Sequence, residues 1–241
     1  MRYYKNWMLL FLIIGLSIGC NKDINDPYSY SAGIVVFNAS TSMPSEIKVN
    51  FTNEESNFTA AEQIGYYNFD GKFANGSTAL GLIAGKPTSL KVIAVADSTK
   101  LIFNESVTPH PGDIYSLFIT GAGDETSGLL VKENIQKNVD SVTGVRFINL
   151  SPNAGAISVN IQGQPNGSGV ATLGFKQITS FEPYPVSSPD QFYILEIRNA
   201  DSGDLLSTYF LNQLPVFGNT TLIIRGLVGG NPGFDITRVN N

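Results

Sequence analysis

The sequence predicts an all-β protein made of two tandem β-sandwich domains. Three observations carry the prediction. Apolar residues recur in short runs with a period of two, as in Ile157, Val159 and Ile161 alternating with Ser158, Asn160 and Gln162, the signature of a half-buried strand. The 24 Gly and 12 Pro of the 241 residues, with many Asn and Ser, punctuate these runs as turns. A strand–turn–strand unit at 144–163 has a weaker copy at 33–51. Hydrophobic content of 42% suffices for packed cores. The net charge of −5 disfavours nucleic acid as a partner, because phosphate binding needs a basic face.

The N-terminus sets the expected compartment. Arg2 and Lys5 precede an apolar run over 8–16, too short for a comfortable membrane span. Ser17-Ile18-Gly19-Cys20 follows. This arrangement resembles a bacterial lipoprotein signal, in which the cysteine is lipidated on its thiol and becomes the new N-terminus. Residues 1–19 are therefore expected to be a signal peptide and Cys20 the lipidation site, with 20–31 a polar tether. The expected location is the cell envelope, on the periplasmic or surface face of the outer membrane. Cys20 is the only cysteine, so no disulfide within the chain is expected and stability must come from the cores.

The first repeat is expected over 32–133. Its strands are placed at 34–38, 47–51, 65–69, 78–83, 89–96, 101–104, 114–120 and 129–132. The best helical segment is 58–64, which is short. A polar linker is placed at 134–142. The second repeat spans 143–241, with strands near 145–150, 157–162, 174–178, 192–198, 205–211, 220–225 and 234–238. Landmarks register the two copies. Asn38-Ala-Ser40 matches Asn149-Leu-Ser151, and Phe118-Ile-Thr-Gly121 matches Ile223-Ile-Arg-Gly226 at nearly the same offset. A period this long means tandem domains rather than a solenoid. Seven or so short strands in about a hundred residues is the sandwich expectation.

The run from Arg146 through Asn149-Leu-Ser-Pro-Asn to Gly163, and Gly174-Phe-Lys-Gln-Ile-Thr-Ser-Phe-Glu-Pro-Tyr184, resemble the bacterial "domain of unknown function 4397". The late strands ending in Gly121 and Gly226 are similar too. The resemblance covers most of both repeats and is stronger in the second. It implies an immunoglobulin-like β-sandwich on an exported protein, commonly a Bacteroidetes lipoprotein. It brings no catalytic residues.

Little catalytic chemistry can be assembled from these residues. His110 is the only histidine and reads as a solvated loop residue between Pro109 and Pro111. No Gly-x-Ser-x-Gly elbow is present, and with no Cys/His cluster no zinc site is expected. The acidic turns 123–128 and 199–204 read as hairpin turns before they read as calcium loops. No catalytic residue, metal or cofactor is expected. The remaining lead is aromatic: Tyr66, Tyr67, Phe69 and Phe73 in the first repeat, and Phe175, Phe181 and Tyr184 in the second. Alternation predicts that about half of them point inward; the others would form a ligand surface. Asp140-Ser141-Val142 resembles Bacteroidetes O-glycosylation sites, which makes Ser141 a candidate acceptor.

The expected function is that of a non-enzymatic, membrane-anchored binding or adhesion module with a glycan or protein ligand. The alternative is a pilus- or matrix-type subunit that assembles through its edge strands.

Overall fold

The computed structural model describes residues 30–42, 45–52, 58–66, 77–135 and 137–240. Sixteen strands run through them. The first half holds β1 (Ser31–Ser40), β2 (Ile47–Asn50), β3 (Glu62–Ile64), β4 (Ser77–Ile83), β5 (Thr88–Ala94), β6 (Asp97–Val107), β7 (Ile114–Gly121) and β8 (Ser127–Lys132). The second half holds β9 (Val142–Asn149), β10 (Ile157–Ile161), β11 (Val170–Leu173), β12 (Glu182–Pro185), β13 (Tyr193–Asn199), β14 (Leu205–Leu211), β15 (Asn219–Arg225) and β16 (Asp235–Asn240). The all-β reading holds. The segment 58–64 is no helix: its end is β3. The strand expected at 174–178 is a turn, with Lys176 at a φ of 62°, and β11 and β12 flank it. The strand expected at 65–69 falls largely outside the described residues.

The strands form four four-stranded sheets, ordered β4-β1-β7-β8, β3-β2-β5-β6, β12-β9-β15-β16 and β11-β10-β13-β14. The same pattern therefore occurs in each half. Its signature is a first strand paired parallel to a late one, β1 with β7 and β9 with β15. Each pair of sheets encloses a core. Ile34, Val36, Leu90, Val92, Leu117 and Ile119 lie in the first, and Val145, Phe147, Ile157, Val159, Leu195, Leu222 and Ile224 in the second. A buried Leu or Ile contributes about 1.5–3 kcal/mol relative to exposure, so these alternating positions hold each pair of sheets together.

A third cluster joins the halves. Phe37 and Ala39 of β1 and Phe118 of β7 pack with Ile148, Leu150 and Ile223 of the second half. Phe37 and Phe118 stack with centroids 5.0 Å apart. The odd and even positions of β1, β7, β9 and β15 are thus both buried, one set in a core and the other in this seam. The Thr120 hydroxyl donates to the Leu150 carbonyl across it at 2.7 Å. Arg225 lies over the Tyr66 ring at 4.3 Å. Arg146 meets Glu133, the residue after β8, at 2.7 Å; their side chains are only 6% and 1% exposed.

At one end of the first half, Asp113 accepts hydrogen bonds from Lys132 Nζ at 2.9 Å, the His110 N–H at 2.9 Å and the Tyr115 hydroxyl at 3.1 Å. These donors, Lys132 foremost, hold its carboxyl down at about 2. A depressed carboxylate stabilises the fold above its unfolded value of ~4, and that contribution is lost as the pH falls toward the folded value. Asp113→Asn is therefore expected to flatten the decline of Tm between about pH 4 and pH 2, read by thermal melts across that range. An unchanged slope would show that the cluster contributes nothing there.

Candidate functional site

The aromatic residues singled out in the sequence do not form one surface. Tyr66 is 2% exposed and Tyr184 5%, so neither belongs to an exposed patch. Tyr66 lies beneath Arg225 in the seam, where its ring is desolvated. On β12, alternation turns Pro183 and Pro185 to the exposed face and Tyr184 into the core, while Glu182, on the side of Tyr184 but at the start of the strand, is exposed. Phe181 is half-buried, with the Arg146 guanidinium 4.5 Å from its ring centre. Phe175 is exposed beside Lys176. Tyr67, Phe69, Phe73 and Cys20 lie outside the described residues. Ser141 is exposed just before β9. The His110 side chain is 82% exposed and its Nδ1 is 3.5 Å from Asp113.

A cleft of about 480 Å³ opens between the edge strands β11 and β12, where the two sheets of the second half part. Its walls are Phe147, Ile161, Val170, Pro183, Pro185, Tyr184 and Tyr193, with Ser168, Gly169, Thr179 and Glu182 at its polar points. The prolines explain the opening. They cannot donate to a ladder, so β12 stays a four-residue edge and no further strand pairs beyond it. Thr179 replaces part of the missing ladder: its Oγ1 accepts from the Phe147 N–H at 3.0 Å and donates to the Ser180 carbonyl at 2.9 Å. Ser168 Oγ accepts from the Ile161 N–H at 2.8 Å and holds the turn after β10 over the cleft.

Two tyrosines form the heart of the cleft. Tyr184 and Tyr193 meet edge to face with centroids 5.0 Å apart and planes at 81°. The Tyr193 hydroxyl donates to the Pro185 carbonyl at 2.6 Å, which fixes its ring. The Tyr184 hydroxyl is buried with no hydrogen-bond partner among the described residues. Burial pushes its pKa up to about 12, with the Tyr193 and Glu182 charges adding to the effect, so it stays a neutral donor. Gly169 lies close beside it: a Cβ there would stand 3.1 Å from the Tyr184 hydroxyl and 3.0 Å from the Val159 carbonyl, tighter than ordinary contact. Glu182 offers an exposed carboxylate at the rim. Chemically the cleft presents flat apolar rings, prolines and one carboxylate, with the unsatisfied Tyr184 phenol buried behind them.

Sequence reasoning reached Tyr184 but missed Tyr193, Glu182 and the two prolines as a unit. The Glu-Pro-Tyr-Pro run was the available signal, since two prolines flanking an aromatic mark a sheet edge. Among the described residues no group of three or more His, Cys, Asp or Glu is placed to hold a metal ion.

Comparison with known proteins places the chain. No curated protein matches it. Among solved structures, a similar chain is the family CBM26 module CBMbc from Eubacterium rectale Amy13K, crystallised in complex with maltoheptaose. It is 11% identical, the match covers 88% of this chain and 97% of that one, and the TM-score is 0.27. A likeness that distant carries no argument about ligand. The family described as "Domain of unknown function (DUF4397)" matches residues 32–160, which take in every strand of the first half, β9 and most of β10. The match starts where the first repeat was expected to begin and weights the first half, whereas the resemblance read from the sequence was stronger in the second. It covers more than half of the chain, which therefore belongs to the DUF4397 family.

Proposed function

We propose that this protein is a non-enzymatic, lipid-anchored envelope lipoprotein of the Bacteroidetes type. On this reading it consists of two tandem immunoglobulin-like β-sandwiches and captures a glycan in the cleft between β11 and β12. The anchor rests on the sequence, through the apolar run at 8–16 and the single Cys20. The tandem reading is supported by the sheet order shared by the two halves.

One observation carries the binding role. An open cleft is walled by the Tyr193 ring, Pro183 and Pro185, with the exposed Glu182 carboxylate at its rim, and the buried Tyr184 ring backs Tyr193 edge to face. A sugar suits both parts of the wall. Its C–H faces pack on tyrosine and proline rings, and its hydroxyls donate to a carboxylate such as Glu182. The test is a glycan array probed with the chain from Tyr30 onward. At least one glycan class is expected to bind, and Tyr193→Ala and Glu182→Gln are each expected to weaken that binding about tenfold or more, roughly 1.4 kcal/mol. Binding that survives both substitutions would move the site elsewhere, and an array with no binder would remove the glycan reading.

A further inference from the structure

Sheet edges expose unpaired N–H and C=O groups; proteins usually blunt them with charges, prolines, bulges or brevity, and an interior glycine weakens a strand. Seven of the eight edge strands among the described residues are blunted in this way. β3 and β11 are three and four residues long. β12 carries two prolines. β6, β8 and β16 carry Lys100, Lys132 and Arg238, and β4 contains Gly81. The eighth, β14, is Leu-Leu-Ser-Thr-Tyr-Phe-Leu, seven residues without a charge, a proline or a glycine. Its one blunting device is a bulge-like register shift at Leu206, confined to its start, which leaves 207–211 paired residue by residue with β13. On the outer face beside it, Phe210 and Phe192 are 52% and 48% exposed, with rings 4.9 Å apart. Large aromatic side chains left exposed together on a sheet face mark a contact surface.

We infer that β14 is a pairing edge for a second copy of this chain, joined antiparallel about a two-fold axis at Tyr209. The occupant follows from charge and from side-chain pattern. The whole chain carries a net −5, so copies repel one another on balance, whereas β14 is uncharged and sets no like charges opposite each other. Centring on Tyr209 places Phe210 of each copy opposite Thr208 of the other. Both residues are on the exposed face, and an aromatic against a β-branched residue is a favourable cross-strand pair. Such a contact is closed: the two-fold uses the same edge of both copies, so pairing through β14 stops at two chains instead of growing a fibre. The cleft is at the opposite edge of the same sheet, beside β11, and stays open in the pair.

Directly opposed antiparallel residues have Cα atoms about 4.5–5.5 Å apart, within disulfide reach. Tyr209→Cys in the full chain, under mild oxidation, is therefore expected to give a covalent dimer at least about tenfold more abundant than Thr208→Cys alone gives, and the double variant Thr208→Cys with Phe210→Cys is expected to restore it. The unaltered chain controls for Cys20. In a second measurement, Thr208→Lys changes an exposed side chain and should leave the Tm in place, yet weaken self-association at least about tenfold in sedimentation of the full chain in detergent. Cross-linking that is equal at every position or absent, a cross-link to a different protein in place of a second copy, or a dimer indifferent to Thr208→Lys would each overturn the inference.

Discussion

Arg146→Met is expected to cost about 3–5 kcal/mol, the usual cost of removing one partner of a buried ion pair, and to lower the Tm by roughly 10 °C in a protein of this size. The guanidinium has three partners. It donates to Glu133 Oε1 at 2.7 Å and to Thr221 Oγ1 at 2.8 Å, and it covers the Phe181 ring at 4.5 Å. Methionine keeps some of the packing over Phe181 but supplies no charge. Glu133 is then left with its side chain 1% exposed and no counterion, and its Oε2 already has no partner among the described residues. The deficit should therefore come from the stranded carboxylate. Glu133→Leu combined with Arg146→Met should recover most of the loss, because replacing a whole buried pair with apolar side chains is often neutral. Denaturant titration of the two variants decides the matter. A loss below ~1 kcal/mol in the single variant, or a double variant no better than the single, would show that the pair does not hold the seam in the way described.

How far the sequence discloses this molecule depends on how local the signal is. Most strand positions are legible because alternation and turn residues are local, and the two halves share one strand order. The asparagine and glycine landmarks survive in both halves because each does a job that no other residue type does. Gly121 and Gly226 close corresponding strands at φ values of 109° and 81°. A Cβ there would stand 2.5 Å from the Glu125 carbonyl oxygen and 2.0 Å from that of Gly233. The seam is not legible. A strand buried on both faces, such as β15 with Thr-Thr-Leu-Ile-Ile-Arg, reads as a denser apolar run and names no partner. The cleft is illegible for another reason. Its walls come from β9, β10, β11, β12, β13 and the turns between them, and only the fold brings Tyr184 to Tyr193. Alternation would have turned Tyr184 inward had β12 been recognised, but its two prolines disguise it as a loop.

Asn149→Ala should show how much the shared landmark matters, at an expected cost of about 3–5 kcal/mol. Asn149 ends β9 and is fully buried. Its Nδ2 donates to the Gly155 carbonyl at 3.0 Å and to the Leu173 carbonyl at 3.1 Å, and its Oδ1 accepts from the Ser151 N–H at 3.1 Å. Leu173 ends β11, so this side chain hooks one sheet of the sandwich to the other and also shapes the turn that follows β9. Alanine removes three hydrogen bonds and leaves buried backbone groups that water cannot reach. Asn149→Asp should be worse than alanine, because a carboxylate would face two carbonyl oxygens in place of donating to them. The first half repeats the device: Asn38 donates to the Ile64 carbonyl at 2.9 Å and to that of Ser45, and accepts from the Ser40 N–H at 3.0 Å. Ile64 ends β3 as Leu173 ends β11, so Asn38→Ala should cost a similar amount. Chemical denaturation of both variants measures the two costs directly. A value under ~1 kcal/mol at either position would mean that the sheets are held by their apolar cores alone, whereas comparable large losses at both would make this asparagine the residue through which one strand order is specified twice.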